Sequence, residues 1–308
     1  MAQLKVLKPT TITDAKFVSC TVTESEYPTY ASSPHVSIND YRIYKHRIWR
    51  SLQNVNNDHV PDDPASDLWW VDTGPTNLWA QFDSQTSTET SLVTSGGSPK
   101  LVTSCTPGIC NGVSVIGASG IKSATVTMVN GATTVFTQTI DKVDSTYISD
   151  WYMYFFEPYV IRTDLIFGPL PPYPSAVITV ELTPSTVGDT VTCGSLLFGN
   201  TVEIGEVEYD ASVGIVDYSR VETDEFGVTT LVKRNFAKEV SYPLRIDNTQ
   251  LRRIFSTLAD LRATPAVWSG SDEYDFSPLT VFGVIDKFRI EVKYVDVSIC
   301  TLQIKGMT

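Results

Sequence analysis

Asn130-Gly131 stands between the runs SATVTMV and TTVFTQTI, both of which alternate residues that suit a pleated, half-buried surface. A pair that accepts positive φ between two such runs folds the chain back as a tight hairpin, with both central turn positions in the left-handed region. Once that antiparallel unit is fixed, the surrounding runs fall into place as further strands. The expected set is Gly112–Ile116, Ser123–Val129, Thr134–Ile140, Trp151–Phe156, Asp164–Phe167, Ala176–Leu182, Val191–Phe198 and Gly205–Tyr209. Short strands at this spacing predict a β-sandwich of jelly-roll type over residues 84–213.

The chain has 308 residues, more than one hydrophobic core usually serves, so several modules are expected. Residues 1–35 read as an extended arm and linker, with Pro9 holding Lys8 extended and Pro28 and Pro34 marking the linker. Such an arm is free to pair with another module or another subunit. Residues 36–83 form a small module that holds Trp49, Trp69, Trp70 and Trp79, four of the six tryptophans. A polar stretch, SQTSTETSLVTSGGS, leads from it as a surface loop.

Residues 214–308 predict a second β domain with strands at Val228–Arg234, Val240–Leu244, Thr280–Ile285, Phe288–Val295 and Ser298–Lys305. One amphipathic helix is expected at 248–262. Asp247-Asn248 offers an N-cap, and Leu251, Ile254, Phe255, Leu258 and Leu261 recur at helical spacing beside Arg252, Arg253 and Arg262. The fold class is therefore all-β: a jelly-roll β-sandwich with a small Trp-rich β module and a C-terminal β domain carrying one helix.

A formal charge of -12 without a Lys/Arg cluster excludes a surface that tracks phosphates, so no nucleic acid is expected as a partner. The N-terminus lacks the apolar core of a signal peptide, and no run reaches the length of a membrane span. The chain is expected to be made in the cytosol without membrane insertion. Its five cysteines, Cys20, Cys105, Cys110, Cys193 and Cys300, read as free thiols by default, with one bridge between Cys105 and Cys110 as the alternative.

Clustered aromatics have two uses: they fill a core too small for aliphatics, or they present flat faces on which sugar rings stack. Neighbours on a strand point to opposite faces, so one of Trp69 and Trp70 can be core while the other is exposed. The candidate sugar-binding rings are Trp49, Trp69 and Trp70, with Trp70 or Trp49 as the exposed one.

Carboxylates are abundant at Asp62, Asp63 and Asp67, at Glu203, Glu206, Glu208 and Asp210, and at Glu222, Asp224 and Glu225. Solvated turns and strand faces account for them without a glycosidase pair. There is no nucleophile elbow, organised triad, phosphate-cradling loop or metal-ligand spacing among His35, His46, His59 and these acids. The chain is read as a non-enzyme with no catalytic residue, metal or cofactor.

The stretch from YRIYKHRIWRSLQN through NNDHVP to DLWW resembles the small carbohydrate-binding modules found beside chitinases. It runs on into a GPTN-x-W-x-x-FD segment, here Gly74, Pro75, Thr76 and Asn77, then Trp79, Phe82 and Asp83. With the later segments IVDYSRVETDEFG, KRNFAK, RATPAVWSG and VFGVIDKFRI, the chain resembles tail-tip or baseplate proteins of tailed bacteriophages. That resemblance implies a galactose-binding-like jelly roll and a junction between modules at the GPTN segment. It also implies a place in the virion tail as a homo-oligomer, with other tail proteins as partners and bacterial surface glycan as a further ligand. A polysaccharide depolymerase is the remaining reading, discriminated by new reducing ends on host polysaccharide.

Overall fold

A computed structural model describes residues 2–32, 36–56, 58–96, 99–144, 150–156, 160–162, 164–270 and 278–307. The chain is mainly β, as its alternating runs predict, and its strands build two bodies around separate cores. The expected strands Gly112–Ile116 and Asp164–Phe167 are present with those bounds. The expected hairpin joins Ile121–Asn130 to Thr133–Asp141. Its register differs by one residue: Asn130 pairs with Thr133, so Gly131 and Ala132 are the central residues. Gly131 alone has positive φ, +63°, which is the pattern of a turn needing glycine only at its first central position.

The sandwich sets Thr133–Asp141, Ile121–Asn130, Val177–Pro184, Leu101–Cys105 and Phe17–Cys20, in that order, in one antiparallel sheet. Asp164–Phe167, Gly112–Ile116 and the first half of Ser195–Val207 form the facing layer. Alternation does the packing: Val126, Met128, Ile178 and Val180 point inward from one sheet, and Val113, Val115, Leu165, Phe167 and Phe198 meet them.

The second body is a closed ring. Ser195–Val207 pairs with Gln3–Pro9, which pairs with Ala266–Ser269, and the ring continues through Thr280–Val292, Val297–Gly306 and Phe236–Asp247. Glu206 opposite Arg245 and Val207 opposite Leu244 close it, so the barrel has no open edge there. Leu4, Val6, Ile204, Tyr242, Leu244, Trp268, Leu302 and Ile304 fill it. The helix Leu251–Asp260 follows a turn capped by Asp247, which accepts from the Thr249 N–H, and buries Ile254 and Leu258 in the same core.

Two divisions drawn from the sequence move. Residues 3–9 are a strand inside the barrel and not an arm, because Leu4 and Val6 are fully buried and both edges of the strand are paired. The change of core falls within Ser195–Val207 and not at residue 213. The first residues of that strand pair with Gly112–Ile116 and its later ones with the N-terminal strand. Gly199 marks the crossing, since a Cβ there would lie 2.0 Å from the Lys8 carbonyl oxygen. Leu7, Ile116, Leu197, Val267 and Phe282 pack together across the joint. Two bodies that share one continuous strand are held as one unit.

All five cysteines are free, and Cys105, Cys110, Cys193 and Cys300 are buried. Burial disfavours the thiolate, pushing Cys105 and Cys193 up to about 12 and Cys300 up to about 11. Treatment of the native protein with a maleimide is therefore expected to modify half-buried Cys20 alone. The others react after denaturation, and prompt labelling of Cys105 or Cys110, read by mass spectrometry, would contradict their packing.

Candidate functional site

The Trp-rich module is a three-stranded sheet of Tyr41–Tyr44, Arg47–Ser51 and Trp70–Pro75. Its first turn has Lys45 at φ 49° and His46 at φ 63°, both left-handed and neither glycine. That conformation costs about 1–2 kcal/mol per residue and matches the twist of a two-residue hairpin. Contacts beyond the turn hold it. Lys45 Nζ is 2.6 Å from Asp62, and the His46 ring stacks on Trp79 at 4.1 Å between Glu24 at 3.0 Å and Asp14 at 2.8 Å.

The three candidate tryptophans divide by burial. Trp70 is 3% exposed, donates from Nε1 to the His59 carbonyl at 2.8 Å and meets the Tyr30 ring edge-on. It is core, which corrects the expectation that Trp70 is an exposed ring. Its neighbour Trp69 lies in the turn just before the strand, half-buried, and stacks on His59 at 3.9 Å and 14°. Trp49 is also half-buried and donates to the Tyr44 carbonyl at 3.3 Å. One of the two rings is inside, as expected, but Trp69 sits in the turn before the strand, and packing by Tyr30 and His59 decides that the inner ring is Trp70. Trp70→Ala is expected to melt this sheet while Trp69→Ala leaves its amide protection unchanged, as nuclear magnetic resonance would read.

The GPTN segment lies where the module meets the sandwich. Gly74 has φ +132° and donates its N–H to Asp72, and Pro75 lies opposite Arg47. Buried Thr76 donates to Glu24 at 2.6 Å, and Asn77 takes the Ser91 N–H at 2.7 Å while returning its amide to the Ser91 carbonyl at 2.8 Å. Trp79 and Phe82 pack on the sandwich core beside Phe17. Asp83 accepts from Thr88 and from the Gln85 N–H, yet burial still raises its carboxyl above the usual range. These contacts lock the module against the sandwich.

Two features escaped sequence reasoning. Trp151–Phe156, expected as a strand, is a short helix whose Trp151, Tyr152, Phe155 and Phe156 are exposed. The run WYMYFF has apolar residues at both parities, so it lacks the alternation of a half-buried strand, and that signal could have flagged it. The second is the pair of strands after the sandwich, Ser212–Asp217 and Arg220–Thr223, whereas the expected strand Val228–Arg234 is present as Thr229–Val232. Ser212–Asp217 is the last strand of the nine-stranded sheet, and it leads into a hairpin of Arg220–Thr223 and Thr229–Val232 with exposed side chains throughout. Phe226 at its tip is 91% exposed.

Among the described residues, no three His, Cys, Asp or Glu side chains gather to hold a metal ion. Glu222, Asp224 and Glu225 are exposed on the hairpin, and Glu203 and Glu206 line the barrel wall. His35 lies outside the described residues. No family model, curated protein or solved structure matches this chain.

Proposed function

We propose that this chain is a structural component of a bacteriophage tail, at its baseplate or tip, acting in virion assembly and in attachment to the host surface. The observation that carries the reading is apolar surface on exposed elements. Trp151, Phe155 and Phe156 stand out on one, and Phe226 and Leu231 on another, while the modules behind them are locked together by buried contacts. Large exposed apolar patches on an otherwise well-packed chain mark surfaces that a partner covers. The resemblance of the GPTN-x-W-x-x-FD segment supplies the class of assembly.

The partners are copies of this chain and other tail proteins, and the place of action is the virion after synthesis in the host cytoplasm. Light scattering of the purified chain, alone and with the proteins encoded beside it, tests this. Defined rings or co-complexes are expected. A monomer that joins none of them would count against the reading.

Half-buried Trp49 and Trp69 favour a second reading, recognition of a bacterial surface glycan by stacking. Glycan-array binding that is lost in Trp49→Ala or Trp69→Ala would support it. Binding that survives both would leave these rings as packing.

A further inference from the structure

The hairpin tip and a groove at the other end of the barrel are complementary. Phe236 pairs with Asp217 at the root of the hairpin, and hydrogen bonds from Tyr218 to Asn235 and from Arg234 to Ser219 carry the two chains outward from there. Among the described residues, no buried core includes the hairpin, and every residue of its two strands is exposed. Val221, Phe226, Val228 and Leu231 are each more than half exposed. A two-stranded hairpin is marginal alone in water, so a surface that covers it stabilises it.

The groove is lined by Leu251, Arg252, Phe255, Phe288, Ile290 and Val292. Phe255 is 55% exposed although it lies on the apolar side of the helix, and it meets Phe288 edge to face at 5.9 Å. The strand beneath also has a free edge. Thr280–Val292 pairs with Ala266–Ser269 only as far as Gly283, and among the described residues no strand pairs with that side of Phe288–Val292.

Register shows that the two surfaces cannot meet within one molecule. Phe288 stands level with Leu302 and Tyr242, and Val292 with Ser298 and Ile246. The hairpin root at Phe236 is six to ten residues earlier along the same strand, about 20–33 Å away, and the hairpin points away from the groove. Charge matches across the gap. The tip carries Glu222, Asp224 and Glu225, with Arg220 paired to Glu222, and Arg252 is the charged residue that lines the groove, while Arg289 and Lys293 pair with Glu291 on the other face of the strand.

We propose that the hairpin of one copy docks in the helix–strand groove of the next, Phe226 and Leu231 against Phe255 and Phe288, with the acidic tip beside Arg252. The contact is head to tail, so it builds a ring where the rotation closes and a filament where it does not. The inference rests on the assembly reading and specifies its self-contact.

Sedimentation velocity of the full chain and two surface variants tests it. Wild type is expected to associate with rising concentration, and Phe226→Asp and Phe255→Asp are each expected to associate at least tenfold more weakly. Mixed in equal amounts, the two variants are expected to form dimers that grow no further, because each retains the half that the other lacks. A photo-crosslinker at position 226 should reach residues 251–255 or 288–292 of another copy. Variants that assemble like wild type, or crosslinks that map elsewhere, would overturn the docking and leave assembly standing. A wild-type monomer that still joins neighbouring tail proteins would do the same, whereas one that joins nothing would overturn both.

Discussion

Removal of residues 2–9 is expected to abolish cooperative folding of the barrel. Leu4, Val6 and Leu7 are at most 3% exposed, and each such side chain contributes about 1.5–3 kcal/mol by burial. Their sum approaches the roughly 5–15 kcal/mol by which a domain is stable at all. The loss goes further, because the strand pairs with Ser195–Val207 on one side and Ala266–Ser269 on the other, so truncation opens two edges at once. Thermal melting followed by circular dichroism should show the barrel transition missing and the truncated chain prone to aggregate. A truncated chain that melts like the full one would mean that these residues are a dispensable arm.

Trp268→Ala is expected to destabilise the barrel by about 3–5 kcal/mol, the range for a large aromatic removed from a core. Trp268 is fully buried and donates from Nε1 to the Gly283 carbonyl at 3.2 Å, so the change leaves a cavity and removes that hydrogen bond. Trp151 offers the contrast within the same protein. It is 77% exposed, and Trp151→Ala should stay within about 0.5 kcal/mol of wild type in urea unfolding. Equal effects at the two positions would contradict the assignment of one ring to the core and the other to the exposed surface.

What the sequence made legible was local. The runs around Gly131 alternate over many residues, and their hairpin appears with a one-residue change of register. Leu251, Ile254 and Leu258 keep helical spacing after a capping Asp247, and that helix is present as Leu251–Asp260. Barrel closure was not legible, because Leu4 meets Gly205 and Val207 meets Leu244 through pairings that leave no mark in either segment alone. Expected strands at Thr280–Ile285 and Phe288–Val295 proved to be one strand, Thr280–Val292, bent by a bulge between Ile285 and Lys287. At the candidate site, the expectation that one of Trp69 and Trp70 is core was met, but by Tyr30 and His59 packing from outside the strand, since Trp69 lies in the turn before it.

Hydrogen exchange on the chain free in solution and within the assembled tail tests the central claim most directly, because it reads each exposed projection separately. The backbone amides of 150–156 and 209–236 are expected to exchange rapidly in the free chain and to become protected in the particle, with the barrel and sandwich strands protected in both. Unchanged exchange in those two segments on assembly would mean that their apolar side chains meet no partner, and the structural role would fall with them.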